Sequence, residues 1–146
     1  MLAKPHAWDT LQCPVNVMDV YYRSFQREVL PVARRKGVAV LGMKSLGGGG
    51  PPRSNILAKR KDLTADELIG YALSQPISAL VVGITSMKDL DQDLRIARAW
   101  KPMSAADQQL LLAKVRDEAG DGRHELFKSS QQFDGPHHRK QHGFEV

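Results

Sequence analysis

One cysteine, Cys13, stands in a chain of 146 residues. No disulfide can form within the chain, and a thiolate metal site would need histidine partners. The lone thiol fits a reducing compartment. Aromatic residues make up only 6%. The basic runs Arg34-Arg35-Lys36 and Lys59-Arg60-Lys61 therefore lack interleaved rings, and nucleic acid is not expected as a partner. Long apolar runs are missing too. Nothing approaches the roughly 20 residues of a membrane span, and Met1 to Pro5 hold no apolar core of signal-peptide length. A soluble, cytoplasmic protein with no membrane partner is expected.

What remains is ordinary globular material, 42% hydrophobic and 25% charged, of a length that favours one domain. The net charge of +5 suits an anionic ligand, though charges this dispersed favour a solvated surface.

Two short apolar runs, Val38-Ala39-Val40-Leu41 and Ala79-Leu80-Val81-Val82, are bounded by glycine or proline. Continuous runs of this kind predict strands buried on both faces, as in parallel sheets. Asp9-Thr10-Leu11-Gln12-Cys13, closed by Pro14, is a weaker third strand. Helical stripes lie between and after them. Phe25, Val29, Val32 and Ala33 precede Arg34-Arg35-Lys36-Gly37, a basic stop followed by glycine, and Pro31 predicts a kink or a late start. Thr64-Ala65-Asp66-Glu67 is a capping box ahead of Leu68, Ile69, Ala72 and Leu73. Ser86 and Ser104 are caps for helices carrying Leu90, Leu94 and Ala97, and Leu110, Leu111 and Val115. Strands and helices in alternation imply an α/β fold with a parallel sheet. The last two dozen residues hold four of the five histidines without periodicity, and an irregular tail is expected there.

Ligands of parallel α/β folds bind at the C-terminal ends of strands. The first end offers Gln12, Cys13 and Asn16, the second Met43, Lys44, Ser45 and Leu46 before a glycine run, and the third Gly83, Ile84, Thr85 and Ser86 before a helix. Glycines allow close backbone approach, and a helix start presents free N–H groups to an anion. Neither segment matches a Walker or Rossmann fingerprint, and the residues alone favour a tolerated linker at Gly47 to Gly50 and a tight strand-to-helix turn at Gly83 over an anion site. Metal binding by His137, His138 and His142 would need a helix that Gly135 and Pro136 discourage. Nothing orients Cys13 against His6 as a nucleophile and base. Val17, Met18, Tyr21 and Tyr22 read as packing residues.

Four segments, in order, resemble a known family. They are Asp9-Thr10-Leu11-Gln12-Cys13-Pro14-Val15-Asn16 with Tyr22-Arg23-Ser24-Phe25; Gly37-Val38-Ala39-Val40-Leu41-Gly42-Met43-Lys44-Ser45-Leu46-Gly47-Gly48; Val82-Gly83-Ile84-Thr85-Ser86-Met87-Lys88-Asp89-Leu90-Asp91-Gln92; and Asp121-Gly122-Arg123-His124-Glu125-Leu126-Phe127-Lys128. Together they resemble strands six to eight and the C-terminal extension of the aldo-keto reductases. The resemblance implies the C-terminal segment of a (β/α)8 TIM barrel over residues 1–134, then an irregular tail over 135–146. It also implies an oxidoreductase that reduces a small carbonyl substrate with NADP, or NAD.

The resemblance assigns cofactor contacts by position. Gln12 corresponds to the residue that holds the nicotinamide carboxamide, and Met43 falls where many members place a stacking ring. Lys44, Ser45, Leu46 and Gly47 match the loop around the pyrophosphate. Gly83, Ile84 and Thr85 match the turn at the adenosine phosphate, and Gln92 and Asp93 lie where adenine is contacted. The family's catalytic Asp, Tyr, Lys and His belong to the first half of the barrel, so no catalytic residue is expected here. Three strands of eight, against a full barrel of about 250 residues, predict an inactive chain with open sheet edges prone to self-association. The alternative is a non-catalytic remnant that keeps part of a nucleotide groove.

Overall fold

The structure, a computed structural model, describes residues 2–47, 57, 59–129 and 140. The fold is mixed α/β, built on a small three-stranded parallel sheet. Strand β1 spans Thr10–Pro14, β2 Ala39–Met43 and β3 Ala79–Val81, in the order β1-β2-β3. The register pairs Gln12 with Leu41 and Pro14 with Met43, and carries Met43 on to Val81.

The two faces of the sheet differ. Leu11, Cys13 and Val40 point into one hydrophobic cluster with Leu30, Ala33 and Ala72 from the helices. Thr10, Gln12, Ala79 and Val81 point the other way and are exposed, with Leu41 and Met43 half-buried beside them. The sequence predicts β2 and β3 as strands buried on both faces, and the chain instead covers one face only. An apolar run cannot by itself say which of its faces finds a partner.

Helix α1 spans Phe25–Glu28 and α2 Leu30–Arg35, with Pro31 in the first turn of the second. The expected late start is thus a break at Val29, since proline lacks the N–H that would continue the first helix. Helix α3, Ala65–Leu73, opens on the complete Thr64–Glu67 capping box. Helix α4, Met87–Ala99, and α5, Ala105–Ala113, start at Ser86 and Ser104, whose hydroxyls accept from the amides three residues on. The apolar stripes of these two helices need correcting. Helix α4 buries Ile96 and leaves Leu94 exposed, because it packs on α3 at the edge of the molecule. In α5 Leu111 is buried but Leu110 is exposed, and Val115 lies beyond the helix end, at the start of α6, Arg116–Ala119.

A second correction concerns the tail. Residues 123–129 are ordered into the body of the protein, ending in the short helix α7, Leu126–Ser129. Periodicity missed this segment because charge, not an apolar stripe, fixes it. The Nζ of Lys128 is buried and donates to Asp19 Oδ1 at 2.6 Å, Glu125 Oε2 at 2.7 Å and the Tyr22 carbonyl at 3.0 Å. Asp19 also accepts from the amides of Phe25 and Gln26 at the start of α1, and from the Ser24 hydroxyl. Asn16 donates to Glu125 Oε1 and accepts from the amides of Met18 and Asp19. Gly122 lets the chain reach this place. Its φ is 71°, and a Cβ there would sit 2.5 Å from the Tyr22 ring. Residues 135–139 and 141–146, including His137, His138 and His142, lie outside the described residues.

Among the described residues no helix is long and apolar enough to cross a membrane.

Lys128→Met should destabilise the chain by about 3–5 kcal/mol at neutral pH, because it strands two buried carboxylates without their cation. The loss should shrink in acid. Burial already raises the Glu125 carboxyl above its usual value of 4.5. A carboxyl raised on folding binds its proton more tightly in the folded state. Folding therefore gains as pH falls through the raised value, and the gain is complete below the unfolded one. Urea midpoints of both proteins between pH 4 and pH 8 measure this, and an equal loss at every pH would refute it.

Candidate functional site

The C-terminal ends of β2 and β3 enclose a cleft of about 390 Å³. Lys44, Ser45 and Leu46 form its β2 side; Val81, Val82, Gly83 and Thr85 form its β3 side, and Asp89, Gln92 and Asp93 of α4 close it. Seven of the residues expected at a cofactor meet here: Lys44, Ser45, Leu46, Gly83, Thr85, Gln92 and Asp93. The other four, Gln12, Met43, Gly47 and Ile84, do not line it.

The β2 loop is tight. The Gly47 amide donates to the Lys44 carbonyl at 2.9 Å. Gly47 takes a φ of 92°, which its missing Cβ permits, but Lys44 at φ 60° is left-handed without that excuse. Such conformations cost on the order of 1 kcal/mol and collect at sites whose surroundings impose them. Above the loop, the Lys44 ammonium lies 5.3 Å from the centroid of the Phe127 ring. A cation at that distance is attracted to the ring face. Phe127 comes from the segment that Lys128 anchors, so the buried charges indirectly place a wall beside Lys44.

On the β3 side, the turn at Gly83 has open space around it. A Cβ built at Gly83 meets nothing within 4 Å, and its φ is not among the positive ones. Only a ligand, not the protein itself, would require glycine here. The start of α4 carries its own negative charge. Thr85 donates to Asp89 Oδ2 from its hydroxyl at 2.7 Å and from its amide at 3.1 Å, while Ser86 Oγ accepts from the Asp89 amide. The Thr85 hydroxyl, then Ser86, hold the Asp89 carboxyl below the usual carboxylate range. Any anion at this turn therefore meets a helix end already partly satisfied.

Gln12 and Met43 belong to the exposed face of the sheet. Met43 pairs with Val81, which lines the cleft, so the cleft opens onto that face. Gln12 itself borders a different, apolar groove with Leu2, Phe25 and Val29. Val81, Val82, Asp89 and Phe127 were not expected at the site. For Asp89 the signal was present, as an acidic residue three places after the Ser86 cap. For Phe127 nothing local could have served, because its neighbour Lys44 is remote in sequence.

Compared with known proteins, the chain matches no family model, no curated protein and no solved structure. Among the described residues no group of His, Cys, Asp and Glu could hold a metal ion.

Cys13 is buried beneath the helices, where burial first and the charge of Asp19 second push its thiol up to about 11. It should be inert as a nucleophile at neutral pH. A chromogenic disulfide reagent at pH 8 should react with the native chain only slowly, and stoichiometrically once denaturant is added. Prompt reaction of the native chain would contradict this.

Proposed function

We propose that the chain is the C-terminal segment of an aldo-keto reductase barrel and forms the cofactor side of an NAD(P)-dependent carbonyl reductase. The observation that carries this reading is the cleft. Loops after two neighbouring parallel strands converge there, with seven of the eleven residues that the resemblance assigns to the cofactor. The exposed face bearing Gln12 and Met43 suits the interior of a barrel whose other strands complete it.

The residues fit a dinucleotide on chemical grounds. Lys44 offers a charge to the pyrophosphate, and Gly83 leaves room for close approach. Gln92 and Asp93 offer polar atoms for the adenosine end. The bound cofactor would supply the hydride. In this reading Lys44 and the Gly83 turn bind, and Gln12 orients the nicotinamide from the sheet face. The proton donor for the carbonyl lies outside this chain's assigned residues, so the chain alone is expected not to reduce carbonyls. The enzyme is proposed to work in the cytoplasm.

Lys44→Ala removes a charge-assisted contact and should weaken dinucleotide binding by about 1–3 kcal/mol. Titrating the 146-residue chain with NADH and NADPH, followed by cofactor fluorescence, measures it. A change within about twofold would show that Lys44 does not bind phosphate.

Self-association is the second expected property. Among the described residues both β1 and β3 are edges, and Val81 and Ile84 are 48% and 50% exposed. Sedimentation velocity at micromolar concentrations should show species larger than a monomer. A monomer throughout would remove the argument for missing strands.

A further inference from the structure

Helix α4 carries an apolar row that the fold leaves without a neighbour. Its inward side holds Ile96 against the body of the protein. Its outward side holds Met87, Leu90, Leu94 and Ala97, at the three- and four-residue spacing of one helical face. Met87 is 70% exposed and Leu94 41%. Single apolar residues on a surface are ordinary, but a contiguous row marks a face that meets another protein.

The matching hollow lies elsewhere on the same chain. A groove of about 530 Å³ runs between β1 and the two helices that follow it. Leu11 and Cys13 form its floor, and Leu2, Phe25, Val29 and Val32, all partly exposed, form its walls. The groove flanks β1, at one edge of the sheet, while α4 follows β3, at the other. The helix of one chain therefore cannot enter its own groove.

The charges beside the two surfaces match in sign and spacing. Glu28 and Lys36 line the groove about two helical turns apart, and Asp91 and Arg98 flank the row on α4 at about the same separation. All four are exposed and form no ion pair among the described residues. Arg95, a neighbouring cation of α4, is already engaged by Asp66 at 2.7 and 2.9 Å. A helix lying antiparallel in the groove sets Arg98 against Glu28 and Asp91 against Lys36. The parallel direction would set like charges face to face, which is costly at an interface.

We propose that the groove is the docking site for helix α4 of a second copy of this chain, laid antiparallel, with the Leu90 and Leu94 side chains between Phe25, Val29 and Val32. The two surfaces differ, so the contact is heterologous. Each copy gives its helix to one neighbour and its groove to another, and association runs past the dimer unless the rotation closes a ring. The inference stands on these two surfaces and is independent of the cofactor reading.

Sedimentation equilibrium of the full chain across micromolar concentrations tests it. The native chain should form a concentration-dependent series reaching beyond the dimer. Leu94→Asp, which would bury a carboxylate among apolar side chains, should weaken association at least about tenfold. Glu28→Arg and Arg98→Glu each bring like charges together and should each weaken it about fivefold or more. Combined, the two reversals should restore association to within about twofold of the native chain, because they remake the pair. All three positions are exposed in the single chain; circular dichroism checks each fold, and the charge reversals suffice if the Leu94 variant does not fold. A chain that stays monomeric, association unmoved by Leu94→Asp, or a double reversal no better than the single ones overturns the proposal. Association through the sheet edges would show no such recovery. None of the three residues lines the cleft, so dinucleotide titration reports separately on the cofactor reading.

Discussion

The ammonium of Lys128 is the contact on which the rest depends. It bridges Asp19 and Glu125 inside the protein, where two buried carboxylates left without a cation would be costly. Asp19 is then free to cap α1 with its oxygens. That fixes the turn leaving β1, and with it the packing of α1 and α2 on the covered face of the sheet. Through Tyr71, whose hydroxyl donates to Gln26, the same network reaches α3. Through Phe127 it reaches Lys44 and the candidate site. A buried ion pair adds little stability compared with apolar packing, but it penalises every arrangement in which one partner is missing. Here that penalty specifies where the C-terminal segment must lie.

The legible parts of the fold were those governed by local rules. Thr64, Ser86 and Ser104 announced their helices because a cap is a contact between residues three apart. Strands β2 and β3 announced themselves through Val-containing apolar runs bounded by glycine and proline, and β1 only weakly. The hidden parts were long-range. Nothing near Glu125 or Lys128 in sequence reveals Asn16 and Asp19, more than a hundred residues away. Nothing in the stripe of α4 reveals that Leu94 would find no neighbour while Ile96 would.

The candidate site divides along the same line. Lys44, Ser45, Gly83 and Thr85 could be found because strand ends are where parallel folds place ligands. Which charges near α4 would face the cleft could not be read, since Asp91 and Asp93 differ only by the turn of a helix. Nor could the sequence tell that Gln12 would stand apart from the cleft, on the open face.

The sheet order and the buried charges have opposite implications for how the chain acquires its structure during synthesis. Strands laid down as β1, β2, β3 each find the previous strand already made, so pairing can follow the growing chain one crossover at a time. The turn after β1 cannot. Nearby amides replace part of the water of the Asp19 carboxylate, but its burial also needs a cation, and that cation is 109 residues later. Made well before its cation, this turn stays hydrated until the Lys128 segment has emerged. The helices nearest the first strand would therefore be among the last to settle.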